Sequence, residues 1–99
     1  MIYKIKVSPT ASKNIANAIE YYLENGNKKI ATEFIKDYKL IYKALQLNPF
    51  YRFHDNNHRF LPFSKFPFIA FFIIDVNIGT VYINAVFHTS QSPEKYPML

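Results

Sequence analysis

Apolar and polar positions change their period halfway along the chain. Ile2 to Val7 alternates, with Tyr3, Ile5 and Val7 set against Ile2, Lys4 and Lys6, and predicts a short strand with one wet face. Ser8-Pro9 then reads as a helix start: Ser supplies an N-cap oxygen and Pro suits the first helical position. Ile15, Ile19, Tyr22 and Leu23 follow at helical spacing, and Gly26 is expected to close this helix in a left-handed conformation. A second helix begins near Asn27. Ala31, Phe34, Ile35, Tyr38, Ile41, Tyr42 and Leu45 form one apolar stripe, and Lys29, Glu33, Lys36, Lys39 and Lys43 lie largely off it. Asn48-Pro49 ends it, because a residue before proline is pushed out of helical angles. The few residues between the helices predict an antiparallel hairpin.

From Phe50 onward the period shortens. Phe50 to Phe53 is a short candidate strand, and Asp55-Asn56-Asn57 reads as a turn. Arg59 to Phe63 predicts a strand, with Pro62 marking an edge or a bulge. Phe66 to Ile74 is apolar at nearly every position, the pattern of a central strand covered on both sides. Asn77-Ile78-Gly79 makes a turn. Thr80 to His88 then alternates, with Val81, Ile83, Ala85 and Phe87 facing one way and Tyr82, Asn84, Val86 and His88 the other, so the two strands form a hairpin. The tail from Thr89, with Pro93 and Pro97, reads as irregular. The predicted order is β-α-α-β-β-β-β. This is an α+β fold in which a helical hairpin covers one face of a mostly antiparallel twisted sheet and the other face stays partly open.

Composition narrows the classes. The 99 residues suit a single domain, 1–99, and 49% hydrophobic with 18% aromatic content excludes intrinsic disorder. There is no cysteine, which removes disulfides, thiolate zinc sites and a cysteine nucleophile and points to the cytoplasm. MIYKIKVSPT has no apolar core of the kind a signal peptide carries. Phe66 to Ile74 is far shorter than the roughly 20 residues of a membrane span, so no membrane association is expected. The net charge is +5, and it is skewed: residues 1–49 hold eight lysines against four acids. Such a domain favours an acidic partner, either nucleic acid or protein.

His54 and His58 are four apart, but they straddle a turn rather than share a helix face, so a solvated turn is expected there and no metal site. Arg59, Lys65 and His88 are the candidate catalytic set. If their strands are neighbours, the two cations could hold a phosphate while the imidazole moves a proton, which suffices for RNA cleavage through attack of a 2′-hydroxyl. Most of the tyrosines sit at core spacing. Tyr96, in the polar tail, is the candidate for substrate binding by base stacking. No glycine-rich phosphate loop, nucleophile elbow or paired-carboxylate motif is present, and no cofactor is expected.

Several of these segments, in this order, resemble a known family. Ile5-Lys6-Val7-Ser8-Pro9 with Ala11, Ile19-Glu20-Tyr21-Tyr22, Ala31 with Phe34, and Leu47-Asn48-Pro49 form the first half of the resemblance. Arg59-Phe60-Leu61-Pro62-Phe63, Lys65-Phe66-Pro67-Phe68, Ala85-Val86-Phe87-His88 and Pro93 form the second. From about Tyr3 to Pro93 the chain resembles the RelE/ParE toxin superfamily. The resemblance implies the toxin of a bacterial type II toxin–antitoxin pair: a cytoplasmic, growth-inhibiting protein of the plasmid-stabilisation kind. A cognate antitoxin would neutralise it by wrapping it with a C-terminal segment, and any DNA contact would run mainly through that antitoxin. Two effector activities are implied, cleavage of mRNA on the ribosome as in RelE-like members or non-enzymatic inhibition of DNA gyrase as in ParE-like members. An inactive antitoxin-binding protein is the third reading. Gln91 stands where relatives commonly carry an arginine.

Overall fold

Two short side-chain acceptors start the two helices. Ser8 Oγ accepts the Ala11 N–H at 3.0 Å and Pro9 takes the first helical position, opening α1 over Pro9–Asn25. Asn27 Oδ1 accepts the Ile30 N–H at 2.9 Å and opens α2 over Lys28–Leu47. Each cap satisfies an N–H that the first turn leaves without a helical partner. The computed structural model describes residues 2–89. Gly26 separates the helices as expected, but not in the left-handed conformation: its φ is −133°. Its N–H donates to the Tyr22 carbonyl at 3.0 Å, and a Cβ at this position would stand 2.9 Å from that same oxygen. Close approach, not handedness, is what requires glycine here.

The sheet has four strands, β1 (Lys4–Val7), β2 (Arg59–Pro62), β3 (Phe68–Asp75) and β4 (Thr80–His88), in the spatial order β1-β4-β3-β2. β2, β3 and β4 are antiparallel, whereas β1 lies parallel to β4 and pairs Lys4 with Thr80 through Val7 with Ile83. The α+β class, with a helical hairpin on one face of a mostly antiparallel sheet, is as the sequence predicts; the parallel pairing of β1 is not part of that prediction. One expected strand is missing from the sheet. Phe50 to Phe53 contributes only the isolated bridge Phe53–Arg59. The Phe50 N–H turns back to Asn48 Oδ1 at 3.2 Å and the Tyr51 N–H to the Pro49 carbonyl at 2.8 Å, and these local bonds compete with a ladder.

The core lies between the hairpin and one sheet face. Phe68, Ala70 and Phe72 of β3 and Val81, Ile83 and Val86 of β4 pack against Ala11, Ala18, Phe34, Ile41 and Leu45. Phe34 is fully buried at its centre, with the rings of Tyr22, Phe63, Phe66 and Phe68 at 5.7, 5.6, 5.5 and 5.1 Å. The expected alternation of β4 breaks at Asn84. Phe71 pairs with Ala85 but Phe72 pairs with Ile83, so Asn84 is one residue too many in its strand. A bulge of this kind moves every later side chain to the opposite face. Val86 therefore joins Val81 and Ile83 in the core, and Phe87 stands beside Phe71 at 6.3 Å.

Candidate functional site

The bulge decides where His88 points. Its ring lies 5.0 Å from that of Phe68, on the helix side of the sheet. There it lines an open cleft of about 440 Å³ with Asn14, Asn17 and Tyr21 of α1 and with Phe68 and Val86. β1 stops at Val7, so β4 continues beyond its parallel neighbour, and Asn14 Oδ1 takes over by accepting the Val86 N–H at 3.0 Å.

Arg59 opens β2 and is held in place. Its Nη1 donates to the Tyr51 carbonyl at 2.7 Å, and the guanidinium carbon sits 3.9 Å from the centre of the Phe53 ring and 5.3 Å from that of Phe50. Stacking over an aromatic face suits a planar, weakly hydrated cation. Arg59 pairs with Phe72, which pairs with Ile83, whereas His88 pairs with Phe68. Two strand spacings and four residues of β3 thus separate Arg59 from His88, about 15 Å between backbones. Lys65 is in the turn between β2 and β3, beside Lys36 and Lys39 at a separate cleft of about 390 Å³ on the α2 side. The three candidate residues occupy three neighbourhoods. Tyr96 and Gln91 lie outside the described residues.

Two titratable residues are buried, and the first of them is not among the sequence candidates. Asp37, on α2, is 1% exposed, and its Oδ2 accepts the backbone N–H groups of Lys65 and Phe66 at 2.8 and 3.0 Å. It pins the β2–β3 turn to the helix. Its spacing from Phe34 and Ile41 puts it on the apolar stripe, and that was the available signal. His58 is 7% exposed, which corrects the expectation of a solvated turn at His54 and His58. The turn itself is present: Asp55 Oδ1 accepts the N–H groups of Asn57 and His58, both at 2.8 Å. His58 Nε2 is 2.9 Å from Nδ2 of Asn84, the bulge residue, and Nδ1 is 3.7 Å from Asp55 Oδ1. The amide donates and the neutral imidazole accepts, which leaves the ring proton on Nδ1, toward the carboxylate. Burial pushes the His58 pKa below its ordinary value, against the pull of Asp55. The two N–H bonds hold the Asp55 carboxyl below its ordinary range. Among the described residues, no three His, Asp or Glu side chains gather as a metal site.

A hairpin on a mixed four-stranded sheet, entered by a parallel first strand, can be matched against known architectures. One solved structure, described as the chromosomal ParDE toxin–antitoxin system of P. aeruginosa, contains a chain that superposes with a TM-score of 0.76 at 17% identity. The match covers 90% of this chain and 98% of that one. The chain has the RelE/ParE-like fold. A second match is to the RelBE2 toxin–antitoxin complex of Mycobacterium tuberculosis, with a TM-score of 0.58 at 15% identity over 89% of this chain and 99% of that one. No protein-family model matches the sequence, and no curated protein does. The fold-level likeness agrees with the sequence resemblance to RelE/ParE toxins. No described helix is long and apolar enough to cross a membrane.

Proposed function

We propose that this chain is the toxin of a type II toxin–antitoxin pair, acting in the cytoplasm and neutralised by a cognate antitoxin. The observation that carries the reading is the likeness of nearly the whole chain, end to end, to a chain of a ParDE system. The charge distribution supports it. Lys36, Lys39 and Lys43 are exposed along α2 around Leu40, itself 55% exposed, a surface that an acidic amphipathic antitoxin segment fits. Of the two effector activities, non-enzymatic inhibition of DNA gyrase asks less of the geometry. An mRNA endonuclease built on Arg59, Lys65 and His88 has to bring together side chains from three neighbourhoods, with the backbones of Arg59 and His88 about 15 Å apart. The endonuclease stays as the second reading because His88 borders a cleft with three hydrogen-bonding α1 side chains.

Induced expression of the chain alone in a bacterial host tests the proposal, with primer extension on abundant mRNAs and a DNA supercoiling assay. Growth arrest with intact mRNA and inhibited supercoiling is the expected result. Discrete mRNA cuts that disappear when Arg59, Lys65 and His88 are together replaced by Ala would move the assignment to the endonuclease. Undisturbed growth with folded protein present would remove the toxin reading.

A further inference from the structure

Both arginines of the chain, Arg52 in the connector between α2 and β2 and Arg59 at the first position of β2, sit among Phe50, Tyr51 and Phe53. Phe50 and Phe53 are each 52% exposed, while the other phenylalanines are all buried or half-buried. This is an unusual place to leave two large apolar rings, and they are not loose. The Arg59 guanidinium lies over both, at 3.9 Å from the Phe53 centroid and 5.3 Å from that of Phe50, and is locked by its 2.7 Å bond to the Tyr51 carbonyl. The Tyr3 ring meets Phe50 edge-on at 5.9 Å. Backbone bonds at Phe50 and Tyr51 and the bridge from Phe53 to Arg59 fix the segment that carries the rings.

We propose that this connector is a stacking platform for single-stranded nucleic acid. Exposed aromatic faces accept any base, because every base presents a π-face, and the adjoining cations meet the phosphates. Arg59 uses one N–H on Tyr51 and keeps others in its planar fork, and the exposed Arg52 adds a second cation. The platform is fixed before binding, so little ordering opposes the ligand. Neither ring lines the clefts at His88 or Lys65. The net charge of +5 acts in the same direction.

The chain contains no tryptophan, which gives a direct readout. In purified F53W the introduced indole is the sole such fluorophore and stands at the proposed contact. A short oligouridylate is expected to quench it. In the parent protein, Phe50→Ala and Phe53→Ala are each expected to weaken binding of the same labelled oligonucleotide about tenfold, with an unchanged circular dichroism spectrum. Quenching by oligothymidylate as well assigns single strands in general, and quenching by RNA alone assigns a role to the 2′-hydroxyl. An unquenched indole, or affinity indifferent to both alanine substitutions, overturns the proposal. Quenching by polyglutamate but not by either oligonucleotide transfers the surface to an acidic protein. The assay uses the purified chain alone, so its result is separate from the growth arrest that tests the toxin reading.

Discussion

His58 shows how one buried side chain ties distant parts of the chain together. Its Nε2 accepts from Asn84 of β4 across 26 positions, while its carbonyl accepts the N–H groups of His54 at 2.7 Å and Asp55 at 3.3 Å. The titratable groups around it are Asp55 and His54 from its own turn, and β4 presents a neutral amide. Burial disfavours the imidazolium in the folded state, whereas the unfolded chain takes up the proton near its ordinary 6.5. The unfolded state therefore binds more protons, and stability rises with pH through that window. The His58 contribution is complete above 6.5 and is lost as the pH falls from there through the lowered folded value. Asp55 acts in a separate, more acidic window, below its ordinary 3.8. Urea midpoints measured from about pH 7.5 down to about pH 5 are expected to fall, and His58→Gln, which keeps an acceptor for Asn84, is expected to flatten that slope. A slope unchanged in His58→Gln would place the titrating group elsewhere.

At the scale of elements, what the sequence shows and what it hides divide by distance along the chain. Ser8 is legible as a cap, and Asn27 as the start of the second helix, because their chemistry acts three residues away. The apolar stripe of α2 is legible because its period is local. The parallel pairing of β1 with β4 is not, since it joins residues more than seventy positions apart and leaves no mark on either strand's alternation. The Asn84 bulge is hidden for a related reason, and with it the face on which His88 emerges. The separation of Arg59, Lys65 and His88 belongs to this scale as well: each stands at the strand end or turn that the sequence predicts, and how far apart they lie is set by register. Asp37 is the element-level tie that can be tested. Removing its carboxylate leaves two backbone N–H groups of the β2–β3 turn without their acceptor, and Asp37→Ala is expected to cost about 2–3 kcal/mol in urea unfolding. Asp37→Asn keeps one oxygen that both N–H groups can reach and is expected to cost less. An Ala variant with the parental midpoint would mean that the turn is held by its other contacts.

For the molecule as a whole, the surface charge and the fold act in concert. A radius of gyration of 13.3 Å leaves little interior in which to hide twelve cationic side chains, and most of the lysines stand exposed along α2 and β1. Isolated surface pairs such as Lys36–Glu33, at 3.7 Å and well solvated, add little to stability. The uncompensated lysines are thus available to a partner at small cost to the fold. An antitoxin that binds only the folded chain stabilises it by about 2.7 kcal/mol when present at a hundredfold over its Kd. In a domain of this size that amounts to a rise in Tm of roughly 10 °C or more. Because exposed charges are screened within about 8 Å at physiological salt, the rise is expected to shrink as salt is added. Lys36→Glu combined with Lys43→Glu is expected to reduce it at low salt while leaving the melting of the chain alone nearly unchanged, since both side chains are exposed. Thermal melts of chain and complex across a salt series measure each term. A rise indifferent to salt and to the charge reversal would assign the complex to apolar contacts around Leu40 and leave the lysines to other partners.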